Sequence, residues 1–176
     1  MTSFFITQAV VVKLTDLRFV CELNGHKRFT ICGDPLYFSP EMVGQTGYNY
    51  GADLWALGIA IFELFEGENS HPFGDEHTAE TDIFNAISHF NPSILKFVKC
   101  PSDAQKLVFD LVQLSQNDRL GYKNPSDVMN HSFLSGTSVS DSSGIPLPLE
   151  VSTDVDISSF AVVKSTKSDI FDLYSK

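Results

Sequence analysis

The sequence predicts a mainly α fold, with a short β-hairpin at its N-terminus and an extended tail at its C-terminus. Three observations carry this. Residues 51–67, GADLWALGIAIFELFEG, are apolar on almost every side, as a helix buried all round would be. Two later segments repeat apolar residues near the 3.6-residue helical period. From Gly136 onward Ser, Asp and Pro dominate and no period survives. The 176 residues suffice for one core. The expected division is a folded unit over residues 1–134 and a Ser/Asp-rich tail over 135–176.

In chain order, residues 4–6 and 10–14 are short β-branched or aromatic runs that favour strands. The link at Gln8-Ala9 lacks the Gly, Asn or Asp that a tight hairpin turn prefers. Residues 24–50 carry Gly25, Gly33, Pro35, Pro40, Gly44 and Gly47 and no sustained period, which reads as a long loop. In the apolar helix, Asp53 stands near the N-terminus, where a carboxylate satisfies free backbone N–H groups. Residues 79–90 form a weaker amphipathic helix. The next begins at Ser102, with Gln105 three residues on in a capping-box pattern, and its stripe runs from Leu107 through Val108, Leu111 and Val112 to Leu114. A short helix opens with Asn124 as N-cap and Pro125 at its first position, and ends near His131. The last stretch, SDIFDLYSK, sets Ile170, Phe171, Leu173 and Tyr174 among charges; no role is the favoured reading from sequence alone, and a docking motif is the alternative.

Charge and composition exclude several functions. A net charge of -10 argues against nucleic acid, whose phosphates require a basic face. It suits a basic peptide partner, and equally a solvated acidic surface. Cys21, Cys32 and Cys100 are odd in number and lack CxxC spacing, as free thiols in a reducing compartment would be. The five His form no ligand pair. The N-terminal stretch lacks the basic start and cleavage site of a signal peptide, and WALGIAIFELF is about half the ~20 residues a membrane span requires. A cytoplasmic protein is expected.

The long loop and the apolar helix carry a set of ordered motifs. TDLRF resembles the kinase DFG element, and Ser39-Pro40-Glu41 resembles APE. Asp53, Trp55 and Gly58 match the Asp-x-Trp-x-x-Gly of the helix that anchors the kinase large lobe, NDRLG supplies Arg119, and HPFG resembles the Pro-Phe element beyond that helix. Over residues 10 to about 134 the chain resembles the large lobe of serine/threonine protein kinases of the AGC group. ELNGHKRFTICGDPLYFSPEMV is similar to the basophilic cyclic-nucleotide-dependent kinases, above all the cyclic-GMP-dependent type. The fold this implies is a partial kinase-like large lobe.

The resemblance implies roles residue by residue. Glu41 and Arg119 would form a buried ion pair joining the activation loop to the helical core. Asp53 would orient loop backbone, and Trp55 would be core. Thr30 falls at the activation-loop phosphosite. The arginine that anchors such a phosphate in relatives is absent, and Lys27 and Arg28 would serve in part; an unmodified loop threonine is the alternative. Cys32, Gly33, Leu36 and Tyr37 fall in the loop that receives the residue after a substrate's phosphoacceptor. Asp34 stands there in place of the usual Thr or Ser, whose hydroxyl bonds the catalytic aspartate; a carboxylate would repel it.

Phosphoryl transfer is positioning plus charge neutralisation, and kinases use a Gly-rich loop, a strand Lys with its helix Glu, and a catalytic-loop Asp and Asn. None of these motifs occurs in the sequence. In the family, ATP and Mg²⁺ are the cofactors, and Asp16 is the candidate metal ligand through the DFG-like element. Leu17 replaces its Phe mildly, whereas Arg18 replaces the Gly that gives backbone freedom and adds a cation able to pair with Asp16 itself. That pairing, without metal, is the favoured reading. The expected function is therefore a fragment of a serine/threonine kinase, inactive as this chain alone; the alternative is a stand-alone pseudokinase-like module. Either binds a protein substrate or a kinase regulatory partner, with no nucleic acid and no membrane span. An exposed apolar patch is expected where a small lobe would sit, with Phe4, Phe5 and residues 10–12 as candidates.

Overall fold

The computed structural model describes residues 4–6, 12–14, 16–67 and 70–135. Phe4–Ile6 (β1) and Val12–Leu14 (β2) run antiparallel, with Phe4 opposite Leu14 and Ile6 opposite Val12. The turn expected at Gln8-Ala9 and the tail from 136 onward lie outside the described residues. Five helices follow among the described residues: α1 (Pro40–Val43), α2 (Gly51–Glu66), α3 (Glu80–Ser88), α4 (Ser102–Leu111) and α5 (Ser126–Met129). Single 3-10 turns at Leu17–Phe19, Pro35–Tyr37, Pro92–Ile94 and Gln116–Asp118 shape the loops.

The core is built around α2. Trp55, Ile59 and Phe62 pack with Val108 and Val112 from the α4 side, Ile83 and Ile87 from α3, and Phe38, Phe73 and Phe90 from the loops. Gly58 allows α2 and α4 to meet closely: a Cβ there would stand 2.5 Å from Val112 Cγ2 and 3.0 Å from Leu111 Cβ. The Trp55 ring stacks on Phe73 at 6.0 Å between centroids and meets Phe90 edge-on at 5.1 Å. Such offset and edge-to-face pairs follow the ring quadrupole.

Four local expectations are corrected. Helix α2 is not buried all round, because Leu64 is 75% exposed. Asp53 makes no cap: Asn49 Oδ1 accepts from the Gly51 N–H at 2.9 Å, and the Asp53 side chain has no hydrogen bond among the described residues. No capping box forms at α4, whose N-cap is Pro101 without a side-chain bond; Gln105 Nε2 instead donates to the Cys100 carbonyl at 2.7 Å. The chain enters that helix one residue earlier than Ser102 would require. At α5 the N-cap is Pro125 rather than Asn124, which stands one residue earlier, accepting from Ser126 N–H at 3.3 Å and donating to Asp127 Oδ1 at 3.0 Å.

A buried carboxylate ties the end of α2 to the next loop. Glu66 Oε1 accepts from the backbone N–H groups of Val98, Lys99 and Cys100 at 3.0, 3.1 and 3.0 Å. Burial pushes the Glu66 carboxyl up, but these backbone donors outweigh it and leave it below its ordinary value.

Candidate functional site

The loop between Thr30 and Ser39 is held at its far end by Glu41. Arg119 Nη1 and Nη2 donate to Glu41 Oε1 and Oε2 at 2.6 and 2.7 Å, with the two side chains 0% and 7% exposed. The three remaining contacts of the guanidinium go to the carbonyls of Gln113, Gly51 and Leu114. Five donors thus meet five acceptors, which offsets the cost of burying the ion. The cation also lies over the Trp55 ring, 5.3 Å from its centroid. Trp55 is fully buried, and Glu41 and Arg119 meet in the core as the family resemblance implies.

Within the loop, Asp34 Oδ1 accepts from Leu36 N–H at 3.1 Å and so caps the Pro35–Tyr37 turn. The carboxylate therefore serves the loop's own backbone. The Tyr37 hydroxyl donates to Glu63 Oε2 on α2. Burial, then the Glu63 bond, pushes the Tyr37 phenol well above its ordinary value. The edge of the His71 ring meets Tyr37 at 5.3 Å between centroids. Gly33 has φ 105°, a left-handed conformation that favours glycine, and Cys32 is half-buried beside it.

Thr30 is exposed, and its carbonyl accepts from the Tyr48 hydroxyl at 2.7 Å. Burial, with Cys32 nearby, raises the Tyr48 phenol to about 12. Backbone bonds between Arg28 and Tyr48, at 2.8 and 2.9 Å, fix the same stretch. The Arg28 side chain is directed to Cys21 Sγ, at 3.2 Å. Cys21, Cys32 and Cys100 are all free thiols.

Asp16 and Arg18 are paired. Arg18 Nε and Nη2 donate to Asp16 Oδ1 and Oδ2 at 2.5 and 2.8 Å, so both carboxylate oxygens are engaged. These bonds from Arg18 hold the Asp16 carboxyl below its ordinary value. No group of three or more His, Cys, Asp or Glu side chains that would hold a metal ion occurs among the described residues. With both oxygens taken by Arg18, the Asp16 carboxylate does not fit a magnesium ion. Asp16, Leu17, Phe19, Tyr48, Tyr50 and Asp53 line an open cavity of about 280 Å³. Desolvation there pushes the Asp53 carboxyl up. Leu17, Phe19 and Val20 stand exposed at this face, whereas Phe4, Phe5 and residues 10–12, expected to be exposed, have side chains outside the described set.

Sequence reasoning missed Glu63, Tyr48, His71, Asn49 and Glu66. Asn49 had a local signal, a side-chain acceptor two residues before the first residue of an apolar helix. Glu63, Tyr48 and Glu66 are joined to their partners only by the tertiary fold, as is His71 to Tyr37.

This constellation of ion pair, loop and central helix is that of a protein kinase large lobe. The chain matches the protein kinase domain over residues 2–134 and belongs to that family. Among curated relatives, it is 38% identical over 125 residues to a cAMP-dependent protein kinase, catalytic subunit-like, of Caenorhabditis elegans, covering 69% of this chain and 29% of that protein. It is 32% identical over 137 residues to cGMP-dependent protein kinase, isozyme 2 forms cD5/T2, of Drosophila melanogaster, covering 76% of this chain and 14% of that protein. To the serine/threonine-protein kinase atg1 of Dictyostelium discoideum it is 32% identical over 109 residues, 60% of this chain and 14% of that one. The chain thus spans at most about 30% of the length of these relatives. It corresponds to part of a serine/threonine protein kinase of the AGC type. No helix among the described residues is long and apolar enough to cross a membrane.

Proposed function

We propose that this chain forms the peptide-positioning part of a serine/threonine kinase lobe, and that its residues alone transfer no phosphate. One contrast carries the reading. The loop from Cys32 to Tyr37 is clamped to the core through Glu41–Arg119 and Tyr37–Glu63, while both oxygens of Asp16 are engaged by Arg18. A loop so held presents a fixed surface to a peptide, and a carboxylate so occupied is a poor metal ligand.

In this reading the substrate is a protein segment with basic residues. Glu63 and Asp34 place two carboxylates beside the loop, and the chain carries a net charge of -10. Thr30, exposed on the loop, is the phosphoacceptor of the activation segment, and a phosphate there would add about -1.5 to -2 charges close to Arg28. A protein regulator of a kinase is the other partner this surface suits.

The test is fluorescence anisotropy of a labelled, arginine-containing serine peptide titrated with the full chain. Saturable binding that weakens in Glu63→Gln and vanishes for a peptide with Glu in place of Arg is expected. No binding, or equal binding of both peptides, overturns the reading.

A further inference from the structure

His71 sits where the peptide-positioning loop meets the core, and neither of its ring nitrogens suits a second proton. Nδ1 accepts from the Phe73 N–H at 3.4 Å, so the neutral ring carries its hydrogen on Nε2. Nε2 is buried and has no hydrogen-bond partner. The ring is wedged edge-on between Tyr37, at 5.3 Å, and Phe73, at 5.8 Å. Phe73 stacks in turn on Trp55, so the wedge connects the loop to the central helix.

Adding a proton changes this arrangement. A hydrogen on Nδ1 would point at the Phe73 N–H, donor against donor, and the bond would be lost. The ring would then carry a positive charge in a site where, as the side chains stand, Nε2 has no hydrogen-bond acceptor. Two carboxylates face it among the described residues: Glu63 on α2 and Asp34 on the loop, with the Tyr37 phenol as the other titratable neighbour. Asp34 is already engaged by Leu36 N–H, and Glu63 by the Tyr37 hydroxyl.

We propose that His71 is an acid-sensitive latch on this loop: protonating its ring draws Glu63 away from Tyr37 and loosens the Tyr37 side chain from the central helix, while Phe38 stays in the core. Imidazolium and phenol compete for one carboxylate, and a charged partner makes the stronger bond. Burial holds the ring neutral at pH 7 and lowers its affinity for a proton, with Glu63 opposing. The latch therefore stays closed near neutrality and opens only below the ordinary histidine midpoint of about 6.5. The structural change stands by itself; its consequence for a peptide rests on the function proposed above.

The experiment is an NMR pH titration of the full chain from about 7.5 to about 5. The His71 Cε1–H signal, assigned through its contact with Phe73, is followed together with the amides of residues 34–38. The expected result is one shared midpoint below about 6.5, and loss of the loop transition in His71→Gln. Loop amides that stay still while His71 titrates, or that still move in His71→Gln, overturn the proposal. Should His71→Gln fail to fold, comparison of the two wild-type midpoints decides. Peptide anisotropy at both ends of the range then separates the two ideas: no binding at either pH counts against the function, and not against the latch.

Discussion

Arg119 grips Glu41 through two parallel hydrogen bonds of 2.6 and 2.7 Å, across 78 residues of sequence, with almost no exposure to water. This contact fastens the end of the loop from Thr30 to Ser39 to the helical core. Removing one partner strands the other charge in a dry site.

Arg119→Ala and Glu41→Ala should each lower stability by about 3–5 kcal/mol, measured by urea unfolding. The double variant should cost clearly less than the sum of the two, since neither charge is then left alone. Strict additivity would show that the pair is not a unit.

Gly58→Ala tests the close approach of α2 and α4. The new methyl would meet Val112 Cγ2 at 2.5 Å, and overpacking of this kind costs about 1–3 kcal/mol. A paired Val112→Ala should recover part of the loss. Thermal melting of the two variants measures it; an unchanged Tm in Gly58→Ala would contradict the packing.

Tyr37→Phe removes one hydroxyl and leaves Glu63 without its partner. Global stability should fall by only about 1 kcal/mol, because Tyr37 and Glu63 are each partly exposed. Peptide affinity should change more than stability does. Melting and anisotropy on the same sample separate the two effects.

Acid should act through Glu66. Its folded pKa lies below the ordinary value because the N–H groups of residues 98–100 outweigh the effect of burial. A depressed carboxyl contributes stability above its unfolded pKa, and that contribution is lost as pH falls through the folded value. Chemical unfolding as a function of pH should therefore show stability declining below about pH 4.5. Glu66→Gln should flatten that decline.

What could be read from the sequence was mainly local or motif-borne. The mostly apolar run of residues 51–67 located α2, and the stripe from Leu107 to Val112 located α4, because apolar patterning reports burial directly. The Asp16–Arg18 pair was legible because a single residue, Leu17, separates them. Glu41–Arg119 was legible only through the order of family motifs, since no spacing rule joins positions so far apart. Apolarity overstated the burial of α2: Leu64 is exposed, and only the tertiary neighbours decide which face is covered. Ser102 and Asp53 looked like helix-end residues by type, but the backbone enters each helix at a different position: Tyr50 and Pro101 stand there instead, and Asn49 accepts from the Gly51 N–H. Glu63, Tyr48 and His71 meet their partners through contacts between separate loops and α2, which no linear pattern encodes.

The central claim is that this chain holds a substrate loop but transfers no phosphate by itself. It is tested most directly by incubating the purified chain with Mg²⁺ and γ-labelled ATP and the arginine-containing peptide, and counting label in the peptide. The account predicts none above background, for the native chain and for Arg18→Gly alike. Label that rises with the amount of chain and disappears in Asp16→Asn would contradict it.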